Sequence, residues 1–386
     1  MKPHSEPLVQ PIYHSTTFVL DDASYADLRE NDGLGVSWYS RVRNPTTDAA
    51  ASAIAALEGA EAAVVTASGM AAITTLVLTL CQGGDRIVVA RELYGDSYEL
   101  FARYLPRLGI TVDFVPVAEL DQWSEVLARG PVRLAYAETL SNPQLTLLDI
   151  PAVAALAHAA GAVFAVDNTF ASPRLVQPLA LGADVVIDSA TKFLNGHSDV
   201  IAGAIAGAEA LVTECRRTIM TFGSCLDPRA ASMLVRSLKT FAVRVDRQMQ
   251  TAAAIAHQLE ASPEVKRVIY PGLSSYAHRG VAERLLPAER GGAMISFIVA
   301  GGDERAQRLM RHLTLATEAT SLGGVETLIS APFNSSHYLM SPGERAAIGI
   351  EAGMLRLSVG LEEADALIAD FETALRATEV SEVVAH

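Results

Sequence analysis

The stretch "AAVVTASGMAAITTLVLTLC", Ala62 to Cys81, holds no charged residue across 20 positions. That length is enough for one helix to cross a bilayer. Its content argues against a membrane span. Thr66, Ser68, Gly69, Thr74, Thr75 and Thr79 make a poor lipid-facing surface, and no Lys/Arg flank marks an inside end. The stretch divides instead around Ala67–Gly69. A buried strand covers Ala62–Thr66, a turn follows, and a buried helix starts at Met70. Read this way, the chain is an α/β protein.

The same pattern recurs outward. "RIVVA" (86–90), "TVDFVP" (111–116), "RLAYAE" (133–138), "AVFAVD" (162–167) and "DVVID" (184–188) are continuous apolar runs. Such runs suit strands covered on both faces of a parallel sheet. Between two of them, Asp149 sits near an N-cap, Pro151 lies in a first turn, "AVAALAHAA" propagates a helix and Gly161 stops it. Strand, helix, strand in repetition predicts an α/β fold with a mainly parallel central sheet covered by helices. Near residue 230 the character changes. "PRAASMLVRSLKTFAVRVDRQMQTAAAIAHQLEA" reads as long helix. Then come "AMISFIVA" (293–300), a helix around 303–312, "MLRLSVG" (354–360) and a last helix from about Glu362 to Leu375. These predict a smaller C-terminal α+β domain.

With 386 residues, half of them hydrophobic and 19% charged, the chain has material for a large core in two or more domains. Its net charge of −14 gives no global attraction to nucleic acid or to an anionic membrane. Cys81, Cys215 and Cys225 are too few and scattered for a disulfide framework. The N-terminus has no apolar signal core. Together these point to a reducing, cytoplasmic setting.

In open α/β sheets, ligands bind beyond the carboxyl ends of the strands. Four ends are informative: "ASGMAA" after 62–66, "ETLSNP" after 133–138, "DNTF" after 162–167 and "SATK" after 184–188. Ser68, Gly69 and Met70 open a helix whose free N–H groups favour an anion, though a plain tight turn reads as well. Asp167 is either an N-cap or a carboxylate partner for a buried cation. Lys192 stands in "DSATKFLNGHSD" (188–199), and the chain has only four lysines. The hydroxyls of Ser189 and Thr191 suit phosphate oxygens. An anion pocket, a buried carboxylate and a lysine at three strand ends point to pyridoxal phosphate, which needs a Schiff-base lysine, an Asp at its ring nitrogen and donors for its phosphate. His197 and Asp199 lack companions at metal-ligand spacing, so a structural role is expected and no metal.

From Pro11 to Leu375 the chain resembles the Cys/Met-metabolism pyridoxal-phosphate enzymes. The motifs occur in order: "PIYHSTTF", "YSRVRNPT", "ASGMAA", "ELYGDSY", "ETLSNP", "VDNTFASP", "SATKFLNGHSDV", "RSLKTF", "VIYPGL", "SLGGVETLI" and "LRLSVGLE". The resemblance implies fold type I of the pyridoxal-phosphate enzymes, with an N-terminal arm (1–45) contacting a neighbouring subunit, a cofactor-binding domain (46–235) and a C-terminal domain (236–386). It implies that Lys192 forms the Schiff base and moves protons, and that Asp167 meets the ring nitrogen. Ser68, Gly69, Met70, Ser189 and Thr191 would hold the phosphate. Tyr94 would stack on the ring and assist the leaving group. Arg356, Ser321 and Asn142 would take the substrate carboxylate, Arg356 as a bidentate fork. Tyr39 and Arg41 would reach the phosphate of a neighbouring subunit, in a homo-oligomer that is a dimer of dimers with shared active sites.

The implied activity is γ-elimination or γ-replacement on a γ-substituted L-amino acid of methionine or homoserine type or a non-standard analogue, through a Cα carbanion and a vinylglycine-type intermediate. A cystathionine γ-synthase or O-acylhomoserine sulfhydrylase is the alternative, and a non-catalytic binding protein a second. The chain departs from the pattern at the distal pocket. Thr320 stands where members handling cystathionine often have Glu, Asp96 where Gly or Cys is frequent, and Phe333–His337 ("FNSSH") where "SMTH" is usual. These departures point to a non-standard small-molecule substrate.

Overall fold

The computed structural model describes residues 7–379, apart from 32, 289, 336–340 and 348. Ala62–Cys81 divides as its sequence requires, into strand β1 (Ala62–Thr66) and the helix Gly69–Leu80. Among the described residues no helix is long and apolar enough to cross a membrane. The apolar runs that follow are β2 (Arg86–Ala90), β3 (Thr111–Val115), β4 (Leu134–Glu138), β5 (Val163–Asp167) and β6 (Val185–Asp188). A further strand, β7 (Gly203–Gly207), completes a seven-stranded sheet in the order β1-β7-β6-β5-β4-β2-β3. Only β7 runs antiparallel to its neighbours.

β7 escapes a propensity reading because it is "GAIAG", poor in strand-forming side chains. Contact explains the composition. A Cβ on Gly203 would lie 2.1 Å from the Ser68 carbonyl oxygen. The backbone of the Ser68 turn therefore presses directly on β7, and only glycine leaves room.

The helix Ile150–Ala159 follows Asp149. That carboxylate does not cap it but pairs with Arg284 at 2.6 Å. The long helical segment is two helices, Pro228–Leu238 and Phe241–Ala261. Lys239 and Thr240 close the first with short-range bonds to the Arg236 and Ser237 carbonyls. Arg244 also donates to the Ser237 carbonyl at 3.2 Å. The second sheet has the order β10-β11-β12-β9-β8, built from β8 (Val265–Ile269), β9 (Met294–Val299), β10 (Thr317–Glu318), β11 (Leu328–Ser330) and β12 (Met354–Ser358). The last helix is Ala364–Ala377.

Each sheet has its own main core. Trp123, Tyr136 and Phe164 are fully buried around the first, and Phe297, Leu355 and Ile329 around the second. The parallel strands β4, β5 and β6 deliver Glu138, Asp167 and Asp188 to one edge of the first sheet, where β1 ends at Thr66 beside Gly203. Strand β12, from the second sheet, carries Arg356 to the same place.

Candidate active site

That edge opens into a cavity of about 580 Å³. Lys192 lies in the turn after β6, closed by its own amide donating to the Ser189 carbonyl at 3.0 Å and by Asn195 N–H donating to Ala190 at 3.0 Å. Arg244 supports the turn from below, donating to the Phe193 carbonyl at 3.1 Å and the Leu194 carbonyl at 3.3 Å. The Lys192 ammonium donates to Ser321 Oγ at 2.8 Å. Burial, then the nearby Arg356 charge, holds its pKa below the ordinary lysine value. Both disfavour the charged form, so the amine is closer to its nucleophilic state than a surface lysine.

Asp167 faces the cavity from the end of β5. Thr169 N–H donates to its Oδ1 at 3.0 Å, and the Tyr136 hydroxyl donates to Oδ2 at 3.2 Å. Thr169 also takes the Ser189 amide on its hydroxyl at 2.7 Å, linking the Asp167 and Lys192 turns. Burial pushes the Asp167 carboxyl up, against these hydrogen bonds. In the adjacent register position, Glu138 is buried and also raised, by burial first and then by the Asp167 charge. Its Oε1 accepts the Tyr94 amide at 2.6 Å. Two neighbouring acids with no cation between them among the described residues make a site where a positive ring nitrogen would be held.

At the opposite end, Ser68 caps the helix Gly69–Leu80, accepting from Ala71 N–H at 3.1 Å. The Gly69 and Met70 amides have no acceptor among the described residues. A Cβ on Gly69 would stand 2.8 Å from the Ser189 Cβ, so glycine is what lets the helix N-terminus reach the Lys192 turn. Thr191 lines the cavity, but its hydroxyl donates to the Ala202 carbonyl at 3.1 Å and accepts from the Ala202 amide at 3.0 Å. Its hydrogen is thereby occupied, which leaves Ser189, Ser68 and the two amides as the open donors.

Arg356, 8% exposed, spans the far side. It donates to Asn142 Oδ1 and to the Ser321 carbonyl, both at 3.0 Å, and lies 5.8 Å from the Phe170 ring centre. Burial lowers its pKa to about 10. Tyr94 and Asp96 meet at the mouth, where the Tyr94 hydroxyl donates to Asp96 Oδ2 at 2.7 Å. Burial first, then the Asp96 bond and charge, push Tyr94 up to about 12. Thr320 and Ser321 line the rim, as does Ser335 from the Phe333–His337 loop. Ser336 and His337 lie outside the described residues.

Tyr39 and Arg41 do not line this cavity. Arg41 sits over the Tyr39 ring and donates to the Met220 carbonyl. His197 bonds to the Asn195 carbonyl at 2.7 Å and to Ser237 at 3.2 Å, and Asp199 accepts from Asn195 at 2.9 Å, so both hold the turn. Sequence reasoning passed over Glu138, Thr169 and Phe170. Glu138 alone carried a signal, a charged residue closing an apolar strand.

An amine, a buried acid and a row of open N–H and O–H donors on one cavity fit pyridoxal phosphate: lysine for the aldehyde carbon, Asp167 for the ring nitrogen, the Gly69 end for the phosphate. Comparison with known proteins agrees. The family described as Cys/Met metabolism PLP-dependent enzyme matches residues 2–376. An L-methionine gamma-lyase of Fusobacterium nucleatum subsp. polymorphum is 40% identical, over 95% of this chain and 93% of its own. An O-succinylhomoserine sulfhydrylase of Pseudomonas aeruginosa is 40% identical, over 95% and 91%. The solved cystathionine gamma synthase of Xanthomonas oryzae pv. oryzae, in complex with aminoacrylate and cysteine, superposes with a TM-score of 0.89 at 35% identity, covering 96% of this chain and 93% of that one. The fold is that of the fold-type I pyridoxal-phosphate enzymes, and the chain belongs to the Cys/Met-metabolism enzymes that depend on this cofactor.

Proposed function

We propose the following account of how this enzyme performs γ-elimination or γ-replacement on a γ-substituted amino acid, and which residues do it. The observation that carries it is convergence: Lys192, Asp167 and Arg356 come from β6, β5 and β12 to one cavity. Bound pyridoxal phosphate supplies an electron sink for negative charge at the substrate α carbon. Asp167 holds the ring nitrogen protonated. Gly69, Met70, Ser68 and Ser189 bind the phosphate, with Thr191 bracing them through Ala202. Arg356 takes the substrate carboxylate, its plane fixed by Asn142 and the Ser321 carbonyl. Lys192 then carries protons between the α and β carbons, with Ser321 as its resting partner. Tyr94, kept protonated by burial and then by Asp96, would turn its hydroxyl from Asp96 to donate towards the departing γ substituent.

Asp96 sets the substrate class. A carboxylate at the mouth disfavours a γ substituent that itself bears negative charge and favours a neutral or hydrogen-donating one. Thr320 adds no charge of its own. We assign residues 1–45 to an arm, 46–235 to a cofactor-binding domain and 236–386 to a C-terminal domain, in a cytoplasmic homotetramer whose arms complete neighbouring sites. The fully exposed Leu8 and Val19 of the arm support a partner there.

The test is spectroscopic and chemical. Purified enzyme should absorb visible light through its lysine-bound cofactor, and Lys192→Ala should lose that band and all turnover. A retained band would remove Lys192 from its role. Incubation with methionine, cystathionine, O-acetylhomoserine and halogenated or unsaturated analogues, with and without a thiol, separates elimination (2-oxo acid and ammonia) from replacement (a new amino acid).

A further inference from the structure

Beneath the cavity floor lies an acid pair that the reaction does not use. Glu58 ends the helix Pro45–Glu58 at 1% exposure, and Asp188 ends β6 at 2%. Their side chains are within hydrogen-bonding contact. Glu58 Oε2 and Asp188 Oδ2 are both buried, and neither finds a donor among the described residues. Asn168 donates to the other Glu58 oxygen at 3.1 Å.

The charges that act on Asp188 are those of Glu58 and Asp167, both negative. Asp167 faces it from β5, and Glu138 lies beyond on β4. Arg174, on the short helix Ser172–Leu175, pairs with Asp246, and Arg229 and Arg236 of the packed helix Pro228–Leu238 are exposed. β1 and β7 bring no titratable side chain. Two ionised carboxylates in contact here would be unpaired buried charges, which are strongly unfavourable. A single proton between them satisfies both orphan oxygens at once.

We propose that Glu58 and Asp188 share one proton in a carboxyl–carboxylate hydrogen bond, and that this bond ties together the two turns that carry Asp167 and Lys192. The connections are direct. Asn168 follows Asp167, donates to Glu58 and anchors its own amide on the Ile187 carbonyl at 2.8 Å. Asp188 precedes the Ser189–Lys192 turn. Glu58 and Asp188 are positioning residues; the roles of Asp167 and Lys192 rest on the function proposed above, the shared proton does not.

Infrared spectroscopy of the holoenzyme tests the proton itself. A buried protonated carboxyl gives a carbonyl stretch distinct from carboxylate. Glu58→Gln and Asp188→Asn should each remove the same band, because two groups share one proton. A band surviving in either variant overturns the pair. In wild type the band should persist as pH rises through about 7, where Glu58 gives up its own proton, because Asp188, raised by burial and then by the Glu58 charge, keeps the shared one; complete loss of the band there would overturn the pair, and this needs no variant to fold.

Melting provides a second readout. The folded Glu58 value is raised, by burial, from the ordinary 4.5 to about 7. Its contribution to stability is therefore fullest below pH 4.5 and lost as pH rises to about 7. The wild-type melting temperature should fall across that window and that of Glu58→Gln should fall less. Equal slopes would overturn the proposal.

The tie has its own readout, cofactor affinity. Glu58→Gln keeps a hydrogen bond to Asp188 through its amide, whereas Glu58→Ala keeps none and should bind pyridoxal phosphate about tenfold more weakly than Glu58→Gln. Equal affinities would leave the shared proton standing and overturn the tie.

Discussion

Tyr94 and Asp96 stand two positions apart in "YGD", and the fold turns that spacing into a 2.7 Å hydrogen bond at the cavity mouth. Burial first, then this bond and the Asp96 charge, hold the tyrosine protonated well beyond neutral pH, at about 12. Replacing Asp96 by Gly removes both the acceptor and the charge, so the Tyr94 value should fall towards that of a free phenol, as ultraviolet difference titration would reveal. The substrate effect has a defined sign. Without Asp96, a γ substituent bearing a carboxylate, such as O-succinyl, should gain roughly three- to tenfold in kcat/KM relative to its neutral O-acetyl counterpart. The visible cofactor band should be unchanged. An unaltered substrate ratio would place Asp96 away from the γ substituent, and a lost band would make it part of the cofactor cradle. Lys192 was legible at this scale because lysine is scarce in the chain and this one follows a strand. Glu138 was not, because its pairing with Asp167 depends on cross-strand register, which neither segment contains by itself.

The element that matters most is the turn from Asp188 to Asp199, and it is held from outside. Arg244, 5% exposed, comes from the helix Phe241–Ala261 and donates to the Phe193, Leu194 and Ser237 carbonyls at 3.1–3.3 Å. At Phe193 and Leu194 it satisfies backbone that no strand or helix reaches. Arg244→Leu leaves buried carbonyls without donors and should cost roughly 2–4 kcal/mol of stability. The denaturant midpoint would fall, and cofactor would be released before global unfolding because the Lys192 turn loses its support first. Coincident loss of visible absorption and of far-ultraviolet ellipticity would count against this local role. β1, β2, β4, β5 and β6 were readable because burial on both faces writes continuous apolar runs, whereas β3 is a half-exposed edge strand that shows through Val112, Phe114 and Val115. β7, β8, β10 and β11 were not. β7 is glycine-rich through backbone contact, β8 carries the exposed Lys266 and Arg267 of an edge, and β10 and β11 have two and three residues. The break at Lys239–Thr240 was invisible because "SLKTF" (237–241) holds no glycine or proline to mark it.

At the scale of the whole molecule, the site in one chain lacks two of its proposed members. Tyr39 and Arg41 sit outside the cavity, on a segment that leads back into an arm whose Leu8, Val9, Ile12 and Val19 are largely exposed. Among the described residues these side chains are left half to fully exposed, and a symmetric neighbour would cover them while bringing Arg41 to the neighbour's phosphate end. This arrangement has a consequence that a self-contained site lacks. Lys192→Ala and Arg41→Ala should each be nearly inactive alone. In a mixed dimer, one site receives both defects and the other receives none, since its lysine and its arginine come from different chains. Random assembly of the two variants should therefore restore about a quarter of wild-type activity, with half the dimers mixed and one good site in each. If Arg41 served its own chain, every site in the mixture would carry one defect and no activity would return. Coexpression with distinguishable tags, purification of the mixed species and a single turnover measurement would decide between the two.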